Sequence, residues 1–217
     1  MIDFQSARRT MVESQVRPND VTDLSIQNAL LQTPKEDFLP SDLKPLAYAE
    51  RELSYPEGRS IPTARDLSKL LAIAAPKPTD IVLHPAMGSG YVAALLSQLV
   101  EMVVCVESAQ HGAGSGEAAL ADYASNVAVI EGDVTLGAPD QGPFDLIFVA
   151  AAFHTIPEKL CAQLKNGGRL VGFLRHAALS KGVLVTRNDG ASTVTERFDA
   201  TVATVPPEYA VEPKFSF

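Results

Sequence analysis

The chain has 217 residues, 46% of them apolar and 20% charged, which is typical of a folded protein with a hydrophobic core of its own. Its formal net charge of -8, with no run of Lys or Arg, disfavours binding to nucleic acids and to anionic membranes. No apolar run approaches the roughly 20 residues of a membrane span, and the first residues lack the apolar segment of a signal peptide, so we expect a cytoplasmic protein.

Residues 1–62 are predicted to form a small helical, loop-rich cap. This segment is polar and interrupted by prolines, with weak helical patterns near residues 5–16 and 22–33. We expect the cap to belong to the same domain as the α/β core, which we place at residues 63–217.

Residues 63–75 have the spacing of a helix, with Thr63 as a candidate N-cap. Apolar strands and helical segments alternate after it. We predict strands at residues 81–86, 102–107, 127–132, 144–151 and 169–174, helices at 90–100 and 156–165, and a turn at 166–168. The segments 182–189 and 192–200 follow as two strands joined by a hairpin turn.

This order of elements predicts a doubly wound, Rossmann-like α/β fold. Strands that alternate with helices form a mostly parallel sheet. Uninterrupted apolar runs such as LIFVAA are typical of strands that are covered on both faces. The last two strands predict an antiparallel edge, and the sequence contains no internal repeat.

Polar and small residues follow the predicted strands, at the edge where a doubly wound sheet binds its ligands. Gly88, Ser89 and Gly90 form a tight turn between the first strand and a helix. Glu107 ends the second strand, 17 residues beyond Gly90, where an acid can bind the two hydroxyls of a ribose. Asp133 follows the third strand, where a side chain can contact an adenine.

This pattern favours S-adenosyl-L-methionine (SAM) over a dinucleotide. The GxGxxG motif of dinucleotide sites is absent, because residues 86–91 read AMGSGY. SAM carries a ribose, an adenine and an amino-acid carboxylate, which match the three polar features. Ala150, in the small-residue end of the fourth strand, would border the reacting centre. The alternative is that the acids are solvated strand ends and that the glycines only form turns.

The chain resembles the protein-L-isoaspartate O-methyltransferase family over residues 8–175. The resemblance rests on MVESQVRPNDVTD, PKEDFLP, a substrate loop YPEGRSIPTARDLSKLL, a cofactor loop VLHPAMGSGYVAALL, the segments VVCVES and NVAVIEGD, and the long PFDLIFVAAAFHTIPEKLCAQLKNGGRLV. The ending FDATVATVPPEYAVEPKFSF is similar to that of a bacterial subgroup of the family.

The resemblance implies a SAM-dependent methyltransferase fold and a protein-repair activity. Members of the family methylate the free carboxyl group of isoaspartyl residues in damaged proteins or peptides, and the ester then closes to a succinimide that can reopen as aspartate. By position, the resemblance assigns the cofactor turn to Gly88, Ser89 and Gly90, the ribose contact to Glu107 and the adenine contact to Asp133.

The substrate loop keeps one hydroxyl of the family pattern and lacks another. Ser60 matches a Thr of the family and is assigned to the substrate site, whereas the Ser two positions later falls on Pro62, which has neither a hydroxyl nor an N–H. Thr63 is a candidate replacement, although a helix cap is its simpler role. Arg59 and Arg65 could bind a substrate carboxylate, but solvated surface arginines are the simpler interpretation.

The cofactor loop departs from the family pattern at three positions. His84 stands where the family has an acid, Pro85 removes one backbone donor, and Ala86 replaces a glycine. A positive φ at Ala86 would cost about 1 kcal/mol. We expect a neutral, hydrogen-bonded His84, and we expect each change to weaken SAM binding without preventing it.

The remaining candidate groups indicate no further chemistry. The four histidines, at 84, 111, 154 and 176, lack the spacing of a metal site, so we expect no metal, although His154 could line the ligand site. Cys105 and Cys161 lie in apolar segments and are expected to be buried free thiols.

Two other functions remain open at this point. One is a methyltransferase of the same fold whose altered substrate loop serves a different substrate. The other is a non-catalytic binding or interaction module that has lost SAM binding. Cofactor titration separates the second from both enzymes.

Overall fold

The N-terminal region is helical and ends in a short hairpin. The computed structural model describes residues 2–55, 58–85, 88–108 and 116–210. The first elements are α1 (Phe4–Met11), a turn of π-helix (Val12–Val16), α2 (Leu24–Gln32), and 3₁₀ turns at Arg17–Asn19, Lys35–Phe38 and Lys44–Leu46. The strands β1 (Leu53–Tyr55) and β2 (Arg59–Ile61) then pair in antiparallel fashion. The two predicted helical regions are confirmed, whereas the hairpin was not predicted because each strand has only three residues.

A seven-stranded sheet follows. Its strands are β3 (Ile81–Pro85), β4 (Met102–Glu107), β5 (Val127–Glu131), β6 (Phe144–Phe153), β7 (Leu164–His176), β8 (Leu179–Asn188) and β9 (Ala191–Ala200). They lie in the order β5-β4-β3-β6-β7-β8-β9, with parallel pairing from β5 to β7 and antiparallel pairing from β7 to β9. The predicted parallel sheet with an antiparallel edge is confirmed.

Apolar clusters cover both faces of the sheet. The remaining helices are α3 (Ala64–Ala74), α4 (Tyr91–Ser97), α5 (Gly116–Tyr123) and α6 (Glu158–Cys161). Neighbouring residues of a strand point to opposite faces. Val82 therefore packs in a cluster with the N-terminal region, α3 and α4, whereas Leu83 packs in a second cluster with α6. Cys105 lies in the first cluster and Cys161 in the second, both buried and unpaired as predicted.

The segment after β6 differs from the prediction. The helix predicted at 156–165 is the single turn α6, and the turn predicted at 166–168 is an irregularity inside β7. Strand β6 pairs with Leu164 before this irregularity and with Arg169 after it. The side-chain amide of Gln163 donates to the carbonyl of Lys159 in α6 and to that of Leu136, between β5 and β6, which fixes the chain before β7 begins.

After β9 the chain returns across the carboxyl ends of the parallel strands. We call residues 201–210 the C-terminal strap; it contains the 3₁₀ turn Pro207–Tyr209. The backbone N and the Oγ1 of Thr201 donate to Asp66 Oδ2 at 2.6 and 2.7 Å, which fixes the start of the strap to α3. At its other end, Tyr209 is buried against the last residue of β6. Within the described ranges, no helix has the length and apolar character needed to cross a bilayer.

Candidate functional site

The carboxyl ends of β3 and β4 hold one carboxylate in a defined position. Glu107, the last residue of β4, is 5% exposed. Its Oε2 accepts a hydrogen bond from Gly88 N at 2.7 Å, and its Oε1 accepts one from Ser108 N at 3.1 Å. A carboxylate oxygen has two lone pairs, so Oε2 retains acceptor capacity for a hydroxyl group.

The turn after β3 uses the backbone freedom of glycine. Gly88 has φ 60° and Gly90 has φ 81°, in the region that a residue with a Cβ adopts at a cost. Ser89 is buried, and its Oγ accepts a hydrogen bond from Tyr91 N at 3.3 Å, at the start of α4. The strain predicted at Ala86 lies outside the described residues.

His84 is buried, neutral and hydrogen-bonded, as predicted. Its Nδ1 lies 2.7 Å from the carbonyl oxygen of Phe148, and since a carbonyl only accepts, Nδ1 carries the proton and Nε2 is an acceptor. Burial lowers the pKa of His84, against the smaller opposing effects of that carbonyl and of the Glu107 charge. Nε2 has no hydrogen-bond partner within the described residues. The residue that replaces the family acid therefore presents a buried acceptor.

A small cavity connects the cofactor turn with the β1–β2 hairpin. Its volume is about 20 Å³, room for about one water molecule. Its lining includes Arg59, Ser60, His84, Gly88, Ser89 and Ala150. The structure thus brings predicted substrate and cofactor residues together from three separate parts of the chain.

Asp133 lies on an exposed turn after β5. Its Oδ1 accepts hydrogen bonds from the backbone N and the Oγ1 of Thr135 at 2.8 and 2.7 Å. These bonds, the side-chain one above all, lower the pKa of Asp133. The carboxylate is therefore ionised near neutral pH, with one oxygen engaged in its own turn. Its contact with an adenine stays a prediction.

Ser60 has a carboxylate partner that the sequence analysis did not identify. Its Oγ donates to Glu52 Oε1 at 2.5 Å. The same Glu52 carboxylate accepts hydrogen bonds from Ala203 N at 2.8 Å and from Thr204 N at 3.2 Å. Glu52 therefore joins the β1–β2 hairpin to the C-terminal strap.

Thr63 caps α3, as predicted. Its Oγ1 accepts a hydrogen bond from Asp66 N at 3.1 Å, and the residue is buried. The hydroxyl oxygen is thus engaged in the cap directly after Pro62. A substrate contact by Thr63 stays a prediction.

Arg59 binds two carboxylates below the strap. Its Nη1 and Nη2 donate to the two carboxylate oxygens of Glu208 at 2.9 and 2.8 Å, and its Nη2 lies 3.4 Å from Glu107 Oε1. Burial alone would lower the pKa of Arg59, but the hydrogen bonds and charge of Glu208, with the charge of Glu107, raise it. Arg59 is 6% exposed, so its interpretation as a solvated surface arginine is wrong, because these two acids compensate for its burial.

Arg65 and His154 have partners of their own. Arg65 forms an ion pair with Asp66 at 2.5 Å and donates to the Asp199 carbonyl at 3.1 Å, away from the cavity lining. His154 donates from its backbone N to the Tyr209 carbonyl at 3.4 Å, so it contacts the strap. His111, the second of the four histidines in the chain, lies outside the described residues.

Sequence reasoning missed Glu52 and Glu208 because their contacts are remote along the chain. Arg59 and Glu208 are 149 residues apart, and Glu52 and Ala203 are 151 apart. No spacing rule covers such distances. For the hairpin that carries Ser60 and Arg59, the available signal was the alternation of apolar and polar residues in LSY, which RSI does not share.

Comparisons with known proteins agree on one family. The sequence profile described as protein-L-isoaspartate(D-aspartate) O-methyltransferase matches residues 6–207. The chain is 37% identical over 171 residues to the protein-L-isoaspartate O-methyltransferase of Roseiflexus castenholzii, covering 78% of each chain. It is 36% identical over 169 residues to that of Koribacter versatilis, covering 77% of this chain and 76% of the relative.

Solved structures show the same fold. A protein-L-isoaspartate O-methyltransferase superimposes with a TM-score of 0.79 at 23% identity, over 93% of this chain and 67% of the other. A chain from Plasmodium falciparum, described as a beta-aspartate methyltransferase in complex with S-adenosyl-L-homocysteine, gives a TM-score of 0.75 at 18% identity, over 94% of this chain and 98% of the other.

Proposed function

The chain belongs to the protein-L-isoaspartate(D-aspartate) O-methyltransferase family, and we propose that it transfers the methyl group of SAM to the free carboxyl group of isoaspartyl residues in damaged proteins or peptides. One observation carries this proposal. The buried Glu107 carboxylate is oriented by Gly88 N, and Gly88 lines the same cavity as Ser60 of the β1–β2 hairpin. Our candidates for the ribose contact and for the substrate hydroxyl therefore lie close to the same turn.

The polar groups of the described residues match those of SAM. Glu107 has acceptor capacity for the ribose hydroxyls, and the Gly88–Gly90 turn lets the backbone approach a ligand. The buried Nε2 of His84 would accept a hydrogen bond from a donor such as the ammonium group of SAM. Asp133 remains our candidate for the adenine contact. When bound, SAM supplies a methyl group that its sulfonium activates.

The chain itself needs little acid–base chemistry for this reaction, because an ionised carboxylate is already a nucleophile. Its residues therefore align the reactants and exclude water. We assign the orientation of the substrate carboxylate to Ser60, with Thr63 as a second candidate. Ala150 leaves room at the reacting centre, and the buried Tyr209 excludes water from the end of β6.

We propose a damaged protein or peptide as the partner and the cytoplasm as the compartment. The unpaired thiols of Cys105 and Cys161 are typical of a reducing environment. The net charge of -8 supports a partner other than nucleic acid or an anionic membrane.

Calorimetric titration with SAM and with S-adenosyl-L-homocysteine tests the cofactor half of the proposal. We expect saturable binding of both. Absence of binding at millimolar ligand would leave the chain a non-catalytic module of the methyltransferase fold. The loop changes at His84, Pro85 and Ala86 make this the first measurement to perform.

Transfer of a labelled methyl group tests the substrate half. The substrate is an isoaspartyl peptide, and its aspartyl twin is the control. We expect label on the first and none on the second. SAM binding without transfer to either peptide would favour a methyltransferase with another substrate, a function that the presence of Pro62 and Arg59 in the substrate loop makes worth testing.

A further inference from the structure

We propose that Arg59 is a carboxylate-binding residue of the substrate site, and that Glu208 of the C-terminal strap occupies it until the free carboxylate of an isoaspartyl residue takes its place. This inference rests on the proposed function and deepens it. It names the residue that recognises the substrate carboxylate and the internal group that competes for it.

The contact between Arg59 and Glu208 has the geometry of carboxylate recognition. Two guanidinium nitrogens donate to the two oxygens of one carboxylate at 2.9 and 2.8 Å. Such forked pairs combine charge with a fixed direction, which is why arginine is frequent where proteins recognise carboxylates. Glu208 therefore shows where an external carboxylate would bind.

Arg59 stands beside the groups that the reaction needs. It lines the same cavity as Ser60, Ser89 and Ala150. Its Nη2 also lies 3.4 Å from Glu107, so the guanidinium extends from the β1–β2 hairpin towards the proposed ribose-binding acid. A carboxylate bound to Arg59 would therefore lie near the proposed ribose-binding acid and near the cavity that Ser60 lines.

Arg59 also has unused binding capacity. Its Nε is buried and has no hydrogen-bond partner within the described residues. A guanidinium has donors on more than one edge, so an incoming carboxylate can bind through Nε while it displaces Glu208. Each carboxylate oxygen keeps a second lone pair, so a carboxylate bound to Arg59 can still act as a nucleophile.

Glu208 is the more easily displaced of the two acids. Its side chain is 21% exposed, compared with 6% for that of Glu107, and it lies in a three-residue 3₁₀ turn. Glu107 is fixed by two backbone donors of the cofactor side. Exchange of Glu208 for a substrate carboxylate therefore leaves the proposed ribose contact in place.

Peptide binding to the complex of the full chain with S-adenosyl-L-homocysteine tests this inference without turnover. The probe is an isoaspartyl peptide, and the control probe is the same peptide with its free carboxyl group converted to an amide. We expect Glu208→Gln to tighten binding of the carboxylate peptide about 3- to 10-fold, because an internal competitor loses its charge. Arg59→Gln should weaken binding at least about tenfold. In the double variant Arg59→Gln/Glu208→Gln, we expect the same peptide affinity as in Arg59→Gln alone.

Arg59→Lys and Asp199→Asn are the matched controls. Arg59→Lys keeps the charge beside Glu107 without the fork, and we expect intermediate peptide affinity. Asp199→Asn removes an acid from the exposed pair with Lys181 and should leave peptide affinity unchanged. The inference would be overturned if Glu208→Gln bound the isoaspartyl peptide no more tightly than wild type. It would also be overturned if Glu208→Gln still tightened binding in the absence of Arg59, or if neither wild type nor Glu208→Gln bound the peptide. Binding in the expected order without methyl transfer would instead reject the proposed function alone.

Discussion

The proposed cofactor side and the proposed substrate side of this site are built in different ways. On the cofactor side, Glu107 and Gly88 meet because their strands are neighbours in a parallel sheet, 19 residues apart in sequence. On the substrate side, Arg59 meets Glu208 across 149 residues, through a strap that follows the last strand. The first arrangement follows from the topology of the fold. The second depends on the particular side chains of this protein, so the substrate side is where its specificity can depart from that of its relatives.

The largest effect on the cofactor side should come from Glu107→Ala. We expect the affinity for S-adenosyl-L-homocysteine to fall at least about tenfold, or about 1.4 kcal/mol, because a charged hydrogen-bond acceptor is lost. Calorimetric titration measures this. Glu107→Gln, which keeps the shape, controls for folding. If Glu107→Ala bound S-adenosyl-L-homocysteine as tightly as wild type, the cofactor would bind elsewhere. The division of the site into a cofactor side and a substrate side would then be wrong.

His84 makes the unfolding free energy of the protein depend on pH. Its folded-state pKa lies below its usual value of about 6.5, because burial disfavours the charged ring. The unfolded chain therefore binds a proton that the folded chain does not, and stability falls as the pH drops below about 6.5. Between pH 7.5 and 5.5, we expect wild type to lose about 1 kcal/mol more unfolding free energy than His84→Gln. Urea unfolding at both pH values checks this, and parallel losses would mean that His84 takes up a proton as readily in the folded chain as in the unfolded chain.

Variants at Thr63 and Ser60 should distinguish a role in stability from a role in substrate recognition. Thr63→Ala should cost about 1 kcal/mol of unfolding free energy through loss of the α3 cap, with the KM for an isoaspartyl peptide little changed. Ser60→Ala should raise that KM with a smaller effect on stability. Thermal unfolding measures the stability of both variants, and initial rates with an isoaspartyl peptide measure their KM. A large KM increase in Thr63→Ala would make Thr63 the hydroxyl that replaces the one absent at Pro62.

The smallest effect should come from Asp133→Asn. One oxygen of this exposed carboxylate already binds Thr135, so we expect only about a threefold loss of affinity for S-adenosyl-L-homocysteine, comparable with one weak hydrogen bond. Calorimetric titration of Asp133→Asn and Glu107→Ala under the same conditions ranks the two losses of affinity. A loss as large as that of Glu107→Ala would mean that the adenine contact dominates binding.

The strand ends on the proposed cofactor side could be predicted from the sequence because local patterns determine them. Apolar runs located β3, β4 and β5, and Glu107 and Asp133 follow from where those strands end. The long strand β7 was harder to predict, because pairing with β6 absorbs the sequence NGG as an irregularity and only tertiary contacts reveal it. Taken alone, the sequence NGG is typical of a turn.

The substrate side could be predicted only in part. Ser60 and Thr63 were predicted from the loop, and their contact with a substrate stays a prediction. The burial of Arg59 could not be predicted, because it depends on Glu208, which is remote in sequence, and on Glu107, at the end of β4. Burial of a guanidinium is favourable only with such partners. A residue that reads as a surface arginine thus becomes a buried one through Glu208 and Glu107.

Mass spectrometry of an isoaspartyl peptide incubated with the full chain and SAM tests the central claim most directly. A SAM-binding cofactor side joined to a carboxylate-recognising substrate side predicts one methyl ester on the isoaspartyl carboxyl group and none on the aspartyl twin. An unmodified isoaspartyl peptide under conditions where calorimetry shows SAM bound would contradict the claim.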